Sequence, residues 1–183
     1  MTTLGVLADT HIPDRAPQLN PQVIQRFREA GVAAILHAGD VSVPRVLEEL
    51  EKVAPVYTVR GNRDIFYLRK LPMQIRLTFN GVSFGMAHGH GTFSRYMIDK
   101  LHRLVYGKLV ERYMKRMLHT FLDVDVIVFG HTHVPCNLCL EGKLLFNPGS
   151  TSHPWPRGDP ATFGLLHLEL GKDPQGEIIE ISA

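Results

Sequence analysis

The sequence predicts an α/β fold that begins with parallel strands and ends with antiparallel hairpins. Two observations predict it. In the first third, short apolar runs rich in β-branched residues alternate with helical patterns, the signature of strand, crossover helix and parallel strand. Further on, apolar runs are joined by Asn80-Gly81 and Glu141-Gly142, short connections of the kind that close hairpins. A third observation bounds the size: 183 residues with 44% hydrophobic composition are enough for one buried core without a disulfide or metal staple, so residues 1–183 are expected to form a single domain.

Thr3 to Ala8 reads as the first strand. Pro21 to Ala30 starts with proline, places Val23, Ile24 and Phe27 on one face and stops at Gly31, which defines a helix. Ala33 to Ala38 is the second strand. Val43 to Lys52 is a second amphipathic helix, with Val46, Leu47 and Leu50 opposed to Glu48, Glu49 and Glu51, and Val56 to Val59 is the third strand. Ile75 to Phe79 and Val82 to Ala87 flank Asn80-Gly81, whose residues tolerate the positive φ angles of a tight hairpin turn. Phe93 to His119 is a basic helical insertion broken near Gly107. Val124 to Phe129 is a fully apolar strand. Asn137 to Leu140 with Leu144 to Phe146, then Phe163 to Leu170 with Glu177 to Ile181, give the last two hairpins, and the Pro, Gly and Ser between Ser150 and Pro160 mark a loop.

Composition excludes more than it selects. Twenty basic and 18 acidic residues leave a formal net charge of +2, so no global field draws the chain to nucleic acid or membrane. The apolar run Leu4 to Ala8 is halted by Asp9 and preceded by no basic region, unlike a secretory signal, and no stretch is long enough to span a bilayer. Cytoplasm is therefore the expected location. Cys136 and Cys139, the only cysteines, are expected to be reduced thiols packed in the core: their spacing suits a zinc knuckle, but there is no second pair.

Histidine carries the chemistry. Ten are present, and five times an apolar run ends in metal-ligand residues beside glycine or a turn: Asp9 and His11, Gly39-Asp40, Gly61-Asn62, His88-Gly89, and Gly130-His131 with His133. The C-terminal ends of strands in an α/β sheet open on one crevice, so these clusters can converge. Asp9, His11, Asp40, Asn62, His88, His131 and His133 offer carboxylate, amide and imidazole donors suited to hard or borderline divalent ions. Seven donors exceed the four of a tetrahedral zinc site and suit a pair of ions sharing one ligand. His37, His102, His119, His153 and His167 read as ordinary core or surface histidines.

The signatures Asp9-Thr10-His11, Gly39-Asp40, Gly61-Asn62-Arg63-Asp64, His88-Gly89-His90, Gly130-His131-Thr132-His133 and Asn147-Pro148-Gly149-Ser150 resemble, in this order, those of the calcineurin-like metallophosphoesterases. Within that family they resemble the compact phosphodiesterase branch that also includes the retromer subunit called vacuolar sorting protein twenty-nine. The resemblance implies a four-layer αββα sandwich of two mixed sheets. It implies that Asp9, His11 and His133 hold one divalent ion, Asn62, His88 and His131 a second, and that Asp40 bridges them. Mn²⁺ is the expected metal, with Fe²⁺, Co²⁺, Ni²⁺ and Zn²⁺ also suited to such donors. Two ions roughly 3.5–4 Å apart can share a water, lower its pKa and direct the resulting hydroxide at phosphorus.

The resemblance further assigns catalytic or substrate-binding roles to Asn62, His90 and Arg63. Many members carry a histidine after the asparagine, which protonates the leaving alkoxide; Arg63 stays charged and cannot, though it can stabilise negative charge. The expected substrate is a small phosphodiester or nucleotide; nucleic acid is a less favoured partner, and membrane is not one. The insertion at about 93–119 carries Arg95, Lys100, Arg103, Lys108, Arg112, Lys115 and Arg116 with three interleaved tyrosines. This is a solvated face whose apolar side serves as a lid or a homo-oligomer contact. The alternative to an enzyme is a protein-interaction scaffold of the same fold, but a pure scaffold is free to lose ligands, and all seven are present.

Overall fold

A computed structural model describes residues 1–91 and 110–182. Two five-stranded mixed sheets face one another. The first is built from β1 (Thr2–Leu7), β2 (Ala34–His37), β3 (Val56–Thr58), β9 (Thr162–Leu168) and β10 (Gln175–Glu180), in the order β10-β9-β1-β2-β3. The second contains β4 (Gln74–Phe79), β5 (Val82–Ala87), β6 (Val126–Val128), β7 (Cys136–Leu140) and β8 (Lys143–Asn147), in the order β4-β5-β6-β8-β7. The β1, β2 and β3 strands run parallel, as do β5, β6 and β8, while β4, β7, β9 and β10 pair antiparallel. In the second sheet the parallel strands lie in the middle with antiparallel β4 and β7 at the edges, whereas in the first the parallel strands run out to the edge at β3 and the β9–β10 hairpin closes the other side.

The inner faces meet through Leu4, Val6, Leu36, Phe84, Val128, Phe146 and Leu166, all fully buried. Helices α1 (Pro21–Glu29) and α2 (Pro44–Glu51) cover the outer face of the first sheet. Val23 and Phe27 of α1 and Val46 and Leu50 of α2 enter one cluster with Leu7, Ile35 and Leu165. Helix α3 (Val110–Thr120) covers the second sheet through Met117, Leu118 and the following Phe121, against Ile127, Phe129 and Leu145. The layers are thus α, β, β, α, as expected. Burying a core side chain of this size contributes roughly 1.5–3 kcal/mol, so the three clusters fix the strand ends from which the polar groups project.

Local chemistry explains the boundaries. Pro21 opens α1 and Asn20 caps it, its Oδ1 accepting from the Gln22 N–H at 2.9 Å. Asn80 and Gly81 both have positive φ, 51° and 80°, as the hairpin requires. The basic helix extends to Thr120 at its C-terminal end; the expected break at Gly107 and residues 93–109 of the insertion lie outside the described residues.

One expectation fails. Cys139 is exposed and Cys136 only half-buried, because β7 is an edge strand whose residues after Cys136 all face solvent. Among the described residues no helix is long and apolar enough to cross a membrane.

Candidate metal centre

The five polar clusters follow β1, β2, β3, β5 and β6, and the parallel order brings their C-terminal ends to one end of the sandwich. The backbone there is unusual. Asp9, His11, Asp40, His131 and His133 have positive φ between 47° and 70°, a region that costs a non-glycine residue roughly 1–2 kcal/mol. Ser42 is a sixth such residue beside them; among the described residues the two remaining non-glycine cases, Asn80 and Glu141, sit in hairpin turns. Strain of this kind persists only where surrounding structure over-determines it.

The side chains meet. Asp9, His11 and His133 form one group whose donor atoms all lie within 4.8 Å of one another, and Asp9, Asp40 and His88 form a second. Asp9 Oδ1 is 3.2 Å from His133 Nε2, 3.6 Å from His11 Nε2 and 3.9 Å from His88 Nε2. Asp40 Oδ2 stands 3.6 Å from His88 Nε2 and 3.9 Å from His11 Nδ1. Asn62 Oδ1 and His131 Nδ1 approach His88 Nε2 to 3.2 and 3.3 Å. All seven residues singled out in the sequence come together at one end of the sandwich, with Asp9 common to both groups; the resemblance implies that Asp40 is the shared ligand.

Each donor is aimed by a partner behind it. His88 Nδ1 donates to the Ala38 carbonyl at 2.8 Å and His133 Nδ1 to the His153 carbonyl, leaving both Nε2 atoms facing the cleft. The His131 N–H donates to Asp9 Oδ2 and the Arg63 N–H to Asp40 Oδ1, both at 2.8 Å, so each carboxylate keeps one oxygen for the cleft. Asp9 Oδ1 and His11 Nδ1 are buried without a hydrogen-bond partner among the described residues, and His11 Nε2 faces His133 Nε2 at 3.1 Å. Buried acceptors pressed together are costly unless a cation lies among them, so the donor set fits divalent metal.

Electrostatics agree. Burial works to raise the Asp9 carboxyl, yet His133, His88 and His11 outweigh it and hold the carboxylate well below the usual range. Asp40 is pushed upward by burial, with Asp9 adding to it against His88 and His11. Burial opposes charge on His88 and His133, but Asp40 and Asp9 raise the first and Asp9 the second. Burial and the neighbouring His88 push His131 well down. His90 is pushed to about 3 by burial, with His88, Arg60 and Arg116 adding to the effect.

Over 170 residues, 2–171, the chain matches the profile of the calcineurin-like phosphoesterase superfamily domain. The chain belongs to that superfamily. A probable metallophosphoesterase of Methanothermobacter thermautotrophicus is 38% identical over 180 residues, covering 98% of this chain and 93% of that protein. A phosphodiesterase of Methanocaldococcus jannaschii is 25% identical over 179 residues, covering 91% and 93%. In fold, the chain is similar to Vps29 of Entamoeba histolytica complexed with zinc, with a TM-score of 0.71, 20% identity, and 98% and 99% of the two chains covered. A phosphoesterase of metal-dependent lineage with a ligand-rich cleft is the coarse identity.

The Arg63 guanidinium pairs with Asp14 at 2.9 Å and is 38% exposed, so it sits at the rim while its amide holds Asp40. The loop Asn147 to Ser150 touches the site: the Ser150 hydroxyl donates to the Asp9 carbonyl at 2.7 Å, and Asn147 Nδ2 to Gly130 O and Thr132 Oγ1. His37 is, as expected, a satisfied core histidine, between the Gly39 N–H and Thr10. Asp64, present in the Gly61-Asn62-Arg63-Asp64 motif but without a role of its own there, holds the backbone of this region. Fully buried, its carboxylate accepts the N–H groups of Gly61, Ser42 and Asp40 at 2.7, 2.8 and 3.0 Å; its place at the end of Gly61-Asn62-Arg63-Asp64 was the available signal.

Proposed function

We propose that the protein is a dinuclear metal-dependent phosphodiesterase. Asp9, His11 and His133 would hold one ion and Asn62, His88 and His131 the other, with Asp40 shared between them. The observation that supports this most directly is the position of the two carboxylates. Asp9 Oδ1 belongs to both donor groups, and Asp40 Oδ2 reaches toward His11 on one side and His88 on the other. When bound, such a pair supplies Lewis acidity to phosphoryl oxygens and acidifies a water held between the ions. Mn²⁺ is the proposed metal, with Fe²⁺, Co²⁺, Ni²⁺ and Zn²⁺ compatible with the same donors.

The chain's own residues then position and neutralise. His88 and His133 keep their Nε2 lone pairs directed inward because Ala38 and His153 take the other protons. Asn62 beside His88 and the half-open face of the cleft orient the phosphoryl group. His90, nine-tenths buried, lines the same side as a substrate contact. Arg63 reaches substrate by releasing Asp14, so its contribution is charge at the rim and not proton donation. Good leaving groups should therefore be cleaved best. Arg63→His is expected to accelerate diesters with poor leaving groups, read as a shallower dependence of kcat on leaving-group pKa; an unchanged dependence refutes this role.

A small phosphodiester or nucleotide in the cytoplasm is the proposed substrate. A second reading, a protein-interaction scaffold, draws on Ile65, Phe66 and Tyr67, three consecutive apolar side chains exposed directly after Asp64. Hydrolysis of a chromogenic phosphodiester beside its monoester, with each metal added back to chelated protein, separates the two. Metal-dependent turnover favouring the diester is expected, and no turnover of either ester moves the assignment to the scaffold.

A further inference from the structure

The segment that follows the Gly61-Asn62-Arg63-Asp64 signature stands out of the surface as an apolar knob. The Leu68 N–H donates to the Asp64 carbonyl at 3.0 Å and closes one turn. Residues four apart in such a turn share a face, and here that face is inward: Asp64 is fully buried, and Leu68 packs on the cluster that α1 and α2 form with the first sheet. The three residues between them point out, and Ile65, Phe66 and Tyr67 are 50, 82 and 72% exposed. Arg60 ties the base of the loop together. Its amide donates to the Pro72 carbonyl at 2.7 Å, its Nη1 to the Arg69 carbonyl at 2.9 Å and its Nη2 to Met73 Sδ at 2.9 Å, so the knob is held ready without a partner.

The charge around it has one sign. From Arg60 to Met73 there are four basic residues and one acid, and that acid, Asp64, is buried. Arg69 and Lys70 directly follow the knob, both exposed and without a side-chain partner among the described residues. Consecutive residues of a helical turn point about 100° apart, so Ile65, Phe66 and Tyr67 fan out and line no single face. A convex apolar tip on a cationic base suits a fluid receptor that closes around it, and an anionic lipid surface offers both the apolar layer and the negative charge. The net charge of +2 draws the whole molecule to no membrane; the attraction is local to this loop.

We infer that the loop Asp64–Met73 is a peripheral anchor for anionic membranes. Ile65, Phe66 and Tyr67 enter the interfacial layer, and Arg69 and Lys70 lie against the headgroups. Asp64, at the base of the knob, also accepts the Asp40 amide at 3.0 Å, so the anchor holds the proposed metal cleft beside the lipid surface. The contact is reversible and crosses nothing. It stands apart from the phosphodiesterase reading, since none of these five side chains is a proposed metal donor.

Cosedimentation of the chain with vesicles of equal parts phosphatidylglycerol and phosphatidylcholine, against phosphatidylcholine alone, reads the anchor. Partitioning is expected to be roughly tenfold stronger on the anionic vesicles and to fall roughly tenfold between about 0.1 and 1 M salt. Phe66→Ala combined with Tyr67→Ala, and separately Arg69→Gln with Lys70→Gln, should each weaken it by roughly tenfold or more, with unchanged circular dichroism. Should the alanine pair fail to fold, Phe66→Trp carries the test. Its emission, read above the background of Trp155, should shift to the blue on anionic vesicles and be quenched by brominated lipid; an unshifted emission refutes insertion. Equal partitioning on both vesicles, or binding that survives loss of Phe66 and Tyr67, overturns the inference. So does binding abolished by chelating divalent metal while the fold persists, which would assign the lipid contact to the cleft. A chain that ignores both vesicles also overturns it and leaves the knob to a protein partner.

Discussion

Gly61→Ala tests whether Asp40 is held where the proposed chemistry needs it. A Cβ at residue 61 would fall 2.1 Å from Asp40 Oδ1 and 2.3 Å from the Asp40 amide, whereas ordinary contact begins at 3.4 Å. Asp40 or the Gly61 backbone must therefore move by about 1.3 Å (3.4 less 2.1). Neither moves easily, since Asp64 takes the N–H groups of both residues and the Arg63 amide takes Asp40 Oδ1. Overpacking of this degree costs roughly 1–3 kcal/mol, a Tm lowered by roughly 2–12 °C in a chain of this length, at about 2–4 °C per kcal/mol. A catalytic group misplaced by about 1 Å can lose roughly 10²-fold in rate. Gly31→Ala is the matched control: φ there is +57° and nothing lies within 4 Å of a new Cβ, so left-handed strain of about 1 kcal/mol lowers Tm far from the cleft. Thermal unfolding and diester hydrolysis of both variants, metal present, should show similar stability losses and a rate loss confined to Gly61→Ala. Wild-type kcat/KM in Gly61→Ala would refute the placement of Asp40 as shared ligand.

Asp64→Asn should lose about 2–4 kcal/mol in chemical denaturation, because the amide NH₂ would face one of three N–H donors that the carboxylate now satisfies; a loss below about 0.5 kcal/mol is inconsistent with that network. Metal should stabilise the fold through linkage by about 2.7 kcal/mol per site at a hundredfold excess over Kd, raising Tm, and chelation should remove the increment; scanning fluorimetry insensitive to both contradicts a preorganised site. The Ser83 hydroxyl and amide hold the Asp125 carboxylate below its usual range. Its folded pKa is the lower one, so its contribution is present above the unfolded value near 3.9 and is lost as pH falls through the folded value. Asp125→Asn should flatten the acid limb of a stability–pH curve in that window, and an unchanged limb would show that the pair does not outlast solvent competition.

Which parts were legible in the sequence follows the range of the forces involved. Asn80-Gly81 and the Pro21 helix start are set by backbone preferences within a few residues, and both lie where the sequence placed them. The alternation of strand and helix fixed the parallel core of β1, β2 and β3 for the same reason. The fate of Cys139 depended on which strand would lie at the edge, a property of the order β4-β5-β6-β8-β7 that no periodicity in Cys136 to Leu140 records. The place of Tyr113 beside His131 likewise depended on how α3 rolls on the second sheet; the period of the helix puts Tyr113 and Met117 on the apolar side without saying what either meets.

The proposed ligands were legible because their chemistry is conspicuous, and the groups that hold them were not because theirs is ordinary. Asp9 Oδ1 and the facing imidazoles of His11 and His133 repel or go unpaired without a cation, so the fold must assemble a locally unfavourable cluster and keep it open. It does so with groups that resemble routine loop residues. The Asp64 carboxylate satisfies three amides, the Ser150 hydroxyl grips the Asp9 carbonyl, and Gly130 lets Asp9 pass where a Cβ would stand 2.9 Å from its Oδ2. Left-handed backbone at five ligands adds strain of roughly 1–2 kcal/mol each, which neighbouring hydrogen bonds of comparable worth must offset. Loss of a supporting group should therefore act first on metal affinity and geometry and only then on the fold, since the three apolar clusters that stabilise the sheets are formed elsewhere.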